Sequence, residues 1–307
     1  MPPESRTSES RLTAAPLPAG TVADLLALQD GVISRAQVLA AGHPPGFIRC
    51  RLRRRDWAPI HPGVYVHHTG PPTWRQRAWA AILDAWPAAL GHGSALTPGT
   101  GALHIVVDRQ RTLTARPGVV VHRRSRLAQC VDWHRSPPRL SVAEAVLDVA
   151  DSAPSETLTI AALTDAVGRR LTTADRLLAA VGARPRMRRR DFLVGILYDI
   201  AHGTCSVLEH RYLTDVEQAH GLPTPIRQAP TTVGRRGFRD ADYPDYGMAI
   251  ELDGRFGHDD PVSRDRDLER DLDAATAAGR DTLRLGACQV LDRPCPTAAK
   301  VAAALVA

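Results

Sequence analysis

A multidomain α/β protein is the fold class this sequence predicts, and three observations predict it. The chain has 307 residues, room for two or three domains of roughly 100–200 residues each. Its apolar fraction of 44% supplies material for real hydrophobic cores. Apolar stripes at helical spacing alternate with short period-2 runs, so helices and strands interleave along the chain.

The first stretch, residues 1–20, is rich in Pro, Ser, Thr and Ala and carries Arg6 and Arg11. It lacks the apolar core of a secretory signal and reads as a disordered tail. Residues 21–70 have the grammar of a winged helix-turn-helix. A short helix over 22–29 takes its apolar side from Leu25, Leu26 and Leu28. Ser34 caps a second helix over 35–41, which Gly42 stops. A third helix over 46–55 sets Phe47, Ile48 and Leu52 on one side and Arg49, Arg51, Arg53, Arg54 and Arg55 on the rest. Residues 57–66 then form a hairpin with a Pro62-Gly63 turn. In this order of elements the basic third helix is the one presented to the major groove of double-stranded DNA.

Residues 71–203 form a mixed α/β middle segment. A helix over 74–86 buries Trp79, Ile82, Leu83 and Trp86, and strands cover 103–107 and 119–122. Four helices follow, over 141–151, 160–169, 173–181 and 188–202. Val142, Ala145, Val146 and Val149 have the spacing of a buried helical stripe. His92, His104, His122 and His134 are too dispersed in sequence to argue for a metal.

Residues 204–307 read as a helix over 206–219, a strand near 227–232 and strands over 238–243 and 248–252. A charged helix over 262–278, a strand over 282–285 and a closing helix over 297–306 complete the segment. Pro244, Asp245, Tyr246 and Gly247 are turn material between the two central strands. That hairpin brings Asp240 towards Glu251 and Asp253. Three hard oxygen ligands in one corner suit Mg²⁺ or Mn²⁺. Such an ion activates water and stabilises charge on a phosphoryl oxygen, which points towards phosphodiester hydrolysis.

The hairpin resembles that of the PD-(D/E)xK nuclease superfamily, and most closely its Vsr-like endonuclease branch. Asp240 matches the first aspartate of that motif and Glu251 the second acid. Asp253 stands where the superfamily has lysine, and the one lysine of the chain is Lys300. The Vsr-like branch is similar in using histidine in place of that lysine, which makes His258 the stand-in as base. The superfamily often sends an acid from the preceding helix, a place Glu209 matches. Ser206 and Glu209 equally have the spacing of a helix capping box. The resemblance implies a restriction-endonuclease-like αβββαβ core over 204–307. The 21–70 segment is similar to the N-terminal domain of AbiEi-type antitoxins, on Gly31-Val32-Ile33-Ser34-Arg35 and Gly63-Val64-Tyr65-Val66.

Composition sets the outer limits. The net charge of +6, almost all of it arginine, favours a polyanionic partner, although a GC-rich genome also accounts for much of the total. No run of about 18 or more apolar residues predicts a membrane span. The five cysteines are scattered, without zinc spacing or a disulfide framework, and a reducing cytoplasm suits them. The expectation is a cytoplasmic DNA-binding protein with a Mg²⁺-dependent endonuclease-like domain. Its alternative is a non-catalytic regulator or antitoxin on the same fold, with a toxin partner or a second copy of itself.

Overall fold

The computed structural model describes residues 16–99, 101–184, 186–202, 206–230, 238–253 and 281–306. It is mixed α/β with three sheets. The chain divides into two compact units, Met1–Asp148 and Val149–Ala307. The segment expected over 71–203 is therefore shared: its strands belong to the first unit and its later helices to the second.

Polar side chains start the first helices. Thr21 and Asp24 form a reciprocal capping box at α1 (Val22–Leu28). Gly31 then turns the chain with φ of +83°, where a Cβ would fall 1.9 Å from His67 Nδ1, so glycine is required on both counts. It leads into β1 (Val32–Ser34), a strand the sequence reading missed. Ser34 and Gln37 cap α2 (Arg35–Ala40), and Pro45 opens α3 (Pro45–Arg53). The hairpin expected over 57–66 forms as β2 (Ala58–His61) and β3 (Val64–Val66). β1 joins it antiparallel to β3, with Ile33 opposite Tyr65, in the order β1-β3-β2.

Both faces of β1 and β3 are covered. Leu25, Ile33, Val38, Ile48, Trp57 and Tyr65 make a core with the first three helices. Val32, Val64 and Val66 face the other way, into a larger core built on α4 (Trp74–Asp84), where Trp79 and Ile82 are buried. A strand buried on both sides shows no polar alternation, which is why Val32-Ile33 gave no period-2 signal.

The larger core lies against a five-stranded sheet ordered β6-β5-β4-β8-β7. After α4 come β4 (Ala88–Leu90), α5 (His92–Leu96), β5 (Leu103–Asp108) and β6 (Val119–Arg124). α6 (Leu127–Cys130), β7 (Val131–Asp132) and β8 (Arg139–Leu140) follow. β5 runs antiparallel to β4 and parallel to β6. α7 (Val142–Ser152) contains the boundary between the units. Its Ala145 and Val146 are buried as expected, while Val142 is exposed.

The second unit continues with α8 (Glu156–Gly168), α9 (Ala174–Ala183), α10 (Arg190–His202) and α11 (Ser206–Arg211). α11 passes into a π-helical turn, Tyr212–Glu217, then a 3-10 turn, Gln218–His220. Four strands form a sheet ordered β12-β11-β10-β9: β9 (Ile226–Pro230), β10 (Phe238–Tyr243), β11 (Met248–Asp253) and β12 (Asp281–Gly286). β9, β10 and β11 are antiparallel neighbours and β12 is parallel to β11. A second π-helical turn, Cys288–Asp292, leads to α12 (Pro294–Leu305). The Tyr212 and Tyr243 hydroxyls share a buried 3.0 Å hydrogen bond that ties the π-helical turn to β10. Arg227 of β9 forms an ion pair with the buried Glu217 beside it. The charged helix expected over 262–278 lies outside the described residues, as does His258. Among the described residues no helix is long and apolar enough to cross a membrane.

Candidate functional sites

α3 carries its arginines where the sequence expects them. Ile48 is buried, while Arg49 and Arg53, four residues apart on the same helix, are exposed. Arg54 and Arg55 extend the exposed charge just past the helix end. Arg51 is engaged inside the unit: its guanidinium pairs with Asp56 at 3.0 Å and lies 5.0 Å over the Phe47 ring. Four of the five basic side chains thus face solvent, and Arg51 braces the helix end.

The carboxylates of the second unit assemble around the β10–β11 hairpin. Asp242 stands opposite Ala249 and Ala241 opposite Ile250. One further step of this register sets Asp240 opposite Glu251, on one face of the sheet. An Asp240 oxygen accepts the Leu252 N–H at 2.6 Å, bracing the strand end. Burial pushes the Asp240 carboxyl above its usual range, and that N–H pulls it part of the way back. Glu209 of α11 is raised by burial and then by repulsion from Asp240, against a hydrogen bond from Gln228. Glu209 thus lies near enough to Asp240 and Gln228 for both to act on its carboxyl. Glu251 is paired with Arg284, its neighbour across the parallel β11–β12 register, at 3.3 Å. Asp253, at the end of β11, is exposed.

Arg284 is the residue the motif reading missed. The signal was available: a chain whose one lysine is Lys300, with an arginine in the strand after the hairpin. The ion's-reach convergence expected of Asp240, Glu251 and Asp253 is not how the described residues group. The set whose ligand atoms all lie within 4.8 Å of one another is His92, His104 and His122. Arg284 engages Glu251 and the Leu252 amide engages Asp240, which holds these carboxylates in place separately.

The histidine grouping corrects the reading of these residues as dispersed. β5 and β6 are in parallel register with Val106 opposite His122, so His104 and His122 share a face one step apart. His104 Nδ1 and His122 Nε2 are 2.9 Å apart. His92, the first residue of α5, stacks on His122 with ring centroids 3.7 Å apart. The backbone fixes this arrangement. Gly91 donates its N–H to the His104 carbonyl at 2.9 Å, and the His104 N–H donates to Ser94 Oγ at 3.0 Å. A Cβ on Gly91 would fall 2.1 Å from Val106 Cγ2, so only glycine lets the start of α5 lie this close to β5. His92 itself holds φ of +47°, the left-handed region that costs a non-glycine residue. Burial lowers the His122 pKa to about 4, with His92 and His104 adding to the effect and Asp148 opposing it. The His122 ring is thus neutral at pH 7. His134 is exposed and not part of the group.

No protein-family model and no curated protein matches the chain. Among solved structures, that of the RV2827C protein from Mycobacterium tuberculosis is similar at 16% identity. It covers 59% of this chain and 77% of that one, with a TM-score of 0.37.

Proposed function

We propose that the chain is a DNA-binding protein with a Mg²⁺-dependent endonuclease site on the β10–β11 hairpin. The observation that carries this reading is the β10–β11 register, which sets Asp240 across from Glu251, with Glu209 of α11 near enough to act on Asp240. Perturbed acids gathered at one corner mark a candidate functional site. The donor set fits a hard ion: Mg²⁺ takes one or two carboxylates and keeps several waters, so a closed cage of three is not needed. When bound, the ion supplies positive charge at a developing phosphoryl oxyanion and acidifies a water.

The residues divide the remaining work. Asp240 and Glu251 hold the ion, Glu209 supports it from α11, and Asp253 assists from the end of β11. Arg284 supplies the fixed positive charge that the motif's lysine gives elsewhere, in a bidentate form suited to phosphate. His258 keeps the role the resemblance implies, as base or orienter of water. The order of α11, three antiparallel strands and a parallel fourth supports the αβββαβ reading. In the first unit, the order helix, helix, basic helix, hairpin over 21–66 supports the winged helix reading, with the exposed arginines of α3 entering the major groove. On this reading the protein works in the cytoplasm, the compartment that suits its scattered cysteines.

The test is nicking of supercoiled plasmid with and without Mg²⁺. Wild-type protein is expected to nick only with the ion, and Asp240→Asn and Glu251→Gln to lose on the order of 10²-fold or more in rate. Wild-type protein that binds the plasmid and leaves it intact with both Mg²⁺ and Mn²⁺ sinks the enzymatic reading. The Glu251–Arg284 pair and Asp253 at the lysine position favour a second reading in that event. It is a non-catalytic regulator, AbiEi-type antitoxin in character, acting with a toxin partner or as a homodimer.

A further inference from the structure

We propose that His92, His104 and His122 bind a divalent first-row transition metal, Zn²⁺ by preference, and leave a fourth position to water. The site is independent of the hairpin carboxylates, with different donors on a different sheet. Three imidazole nitrogens suit zinc, copper, nickel and iron, and do not suit Mg²⁺. A tetrahedral Zn²⁺ with ligand bonds of about 2.0–2.1 Å sets its nitrogens roughly 3.4 Å apart. His104 Nδ1 and His122 Nε2 are already 2.9 Å apart, and the ligand atoms of all three residues lie within 4.8 Å of one another. Closing onto an ion therefore asks for ring rotations and no movement of the sheet.

The backbone holds the three rings together. A histidine pays a conformational cost at φ of +47° to place its ring over His122. The close approach of Gly91 to Val106 and the two hydrogen bonds to the His104 backbone lock the second ligand. One proton is shared in the His104–His122 contact. A cation satisfies all three nitrogens together. Asp148, whose charge acts on His122, is paired with Arg124, which also binds Glu144.

The experiment uses untagged, chelator-stripped full-length protein. Zn²⁺ titration calorimetry is expected to find one site per chain that survives Glu251→Gln and weakens at least tenfold in His104→Ala and His122→Asn. Co²⁺ substitution is expected to give the intense visible bands of a four-coordinate ion. Each variant's unfolding transition without metal reports whether it folds. For a variant that does not fold, wild-type protein supplies the measurement: Zn²⁺ is expected to protect His92, His104 and His122 from diethylpyrocarbonate and leave exposed His134 reactive. Absence of stoichiometric binding, equal affinity in His122→Asn, a weakly absorbing octahedral Co²⁺ complex, or unprotected histidines would each overturn the proposal. Failure of plasmid nicking has no bearing on these readouts, so the two proposals fail separately.

Discussion

In the first unit, three imidazoles come together from a helix start and two parallel strands; in the second, carboxylates gather on one hairpin and the helix beside it. His104 and His122 approach to hydrogen-bonding distance because one ring nitrogen can donate the proton that the other accepts. The carboxylates do not. Asp240 takes a backbone N–H, Glu251 takes Arg284, and Glu209 takes Gln228 while bearing repulsion from Asp240. The imidazole cluster is thus assembled by the fold alone, whereas the carboxylates are held one by one by separate partners. The same contrast separates the metals: nitrogen donors held tightly suit Zn²⁺, and oxygen donors held loosely suit a hydrated Mg²⁺.

The largest stability effect is expected where the histidine cluster depends on close backbone approach. Gly91→Ala places a methyl 2.1 Å from Val106 Cγ2 in a packed core, so strand or helix must shift. The expected cost is about 1–3 kcal/mol, measured by denaturant unfolding, together with loss of Zn²⁺ binding. A Gly91→Ala protein with unchanged stability would mean that α5 is free to slide and that the cluster is not preorganised. In the second unit the turn between β10 and β11 rests on Gly247, which holds φ of +59°.

A middle-sized effect separates affinity from chemistry. Arg49→Ala with Arg53→Ala removes two exposed charges from α3 and leaves Ile48 and the Arg51–Asp56 pair in place. The slope of log affinity for duplex DNA against log salt is expected to fall by about 1.8, from two fewer counterions released. Nicking at saturating protein is expected to stay unchanged, because the reacting carboxylates lie in the other unit. An unaltered slope in the gel-shift titration would move DNA recognition away from α3.

How legible each region is in the sequence follows from the contact range. Asp240 and Glu251 are joined by a four-residue turn, so period-2 alternation and turn chemistry suffice to pair them. The arginines of α3 are legible for the same local reason. His92, His104 and His122 meet only through the parallel pairing of β5 with β6 and the seating of α5 on β5, and no local pattern encodes either. β1 was hidden because both its faces are buried, and β4, β7 and β8 because two or three residues show no period. Arg284 was overlooked because parallel register across an intervening segment decides its partner.

The smallest effect tests whether the carboxylate cluster is held together at a cost. Glu209 has a folded pKa raised by burial and by Asp240. Between its unfolded and folded values the native state binds more protons, so stability falls as pH rises through that window. Above it the full cost is present, and below the ordinary glutamate range of about 4.3 it vanishes. Glu209→Gln keeps the shape and removes the charge. Its unfolding midpoint is therefore expected to exceed that of wild type at pH 7–8 and to converge with it near pH 4. Solvent reaches part of this side chain, which keeps the difference small. Millimolar Mg²⁺ is expected to narrow the gap from the wild-type side, since the ion offsets the repulsion the substitution removes. A residue serving only to cap α11 gives a different result, because glutamine caps as glutamate does and no pH-dependent gap opens. A midpoint lowered at pH 8 would make Glu209 a structural acid and remove the support that its proximity to Asp240 gives to a cation site.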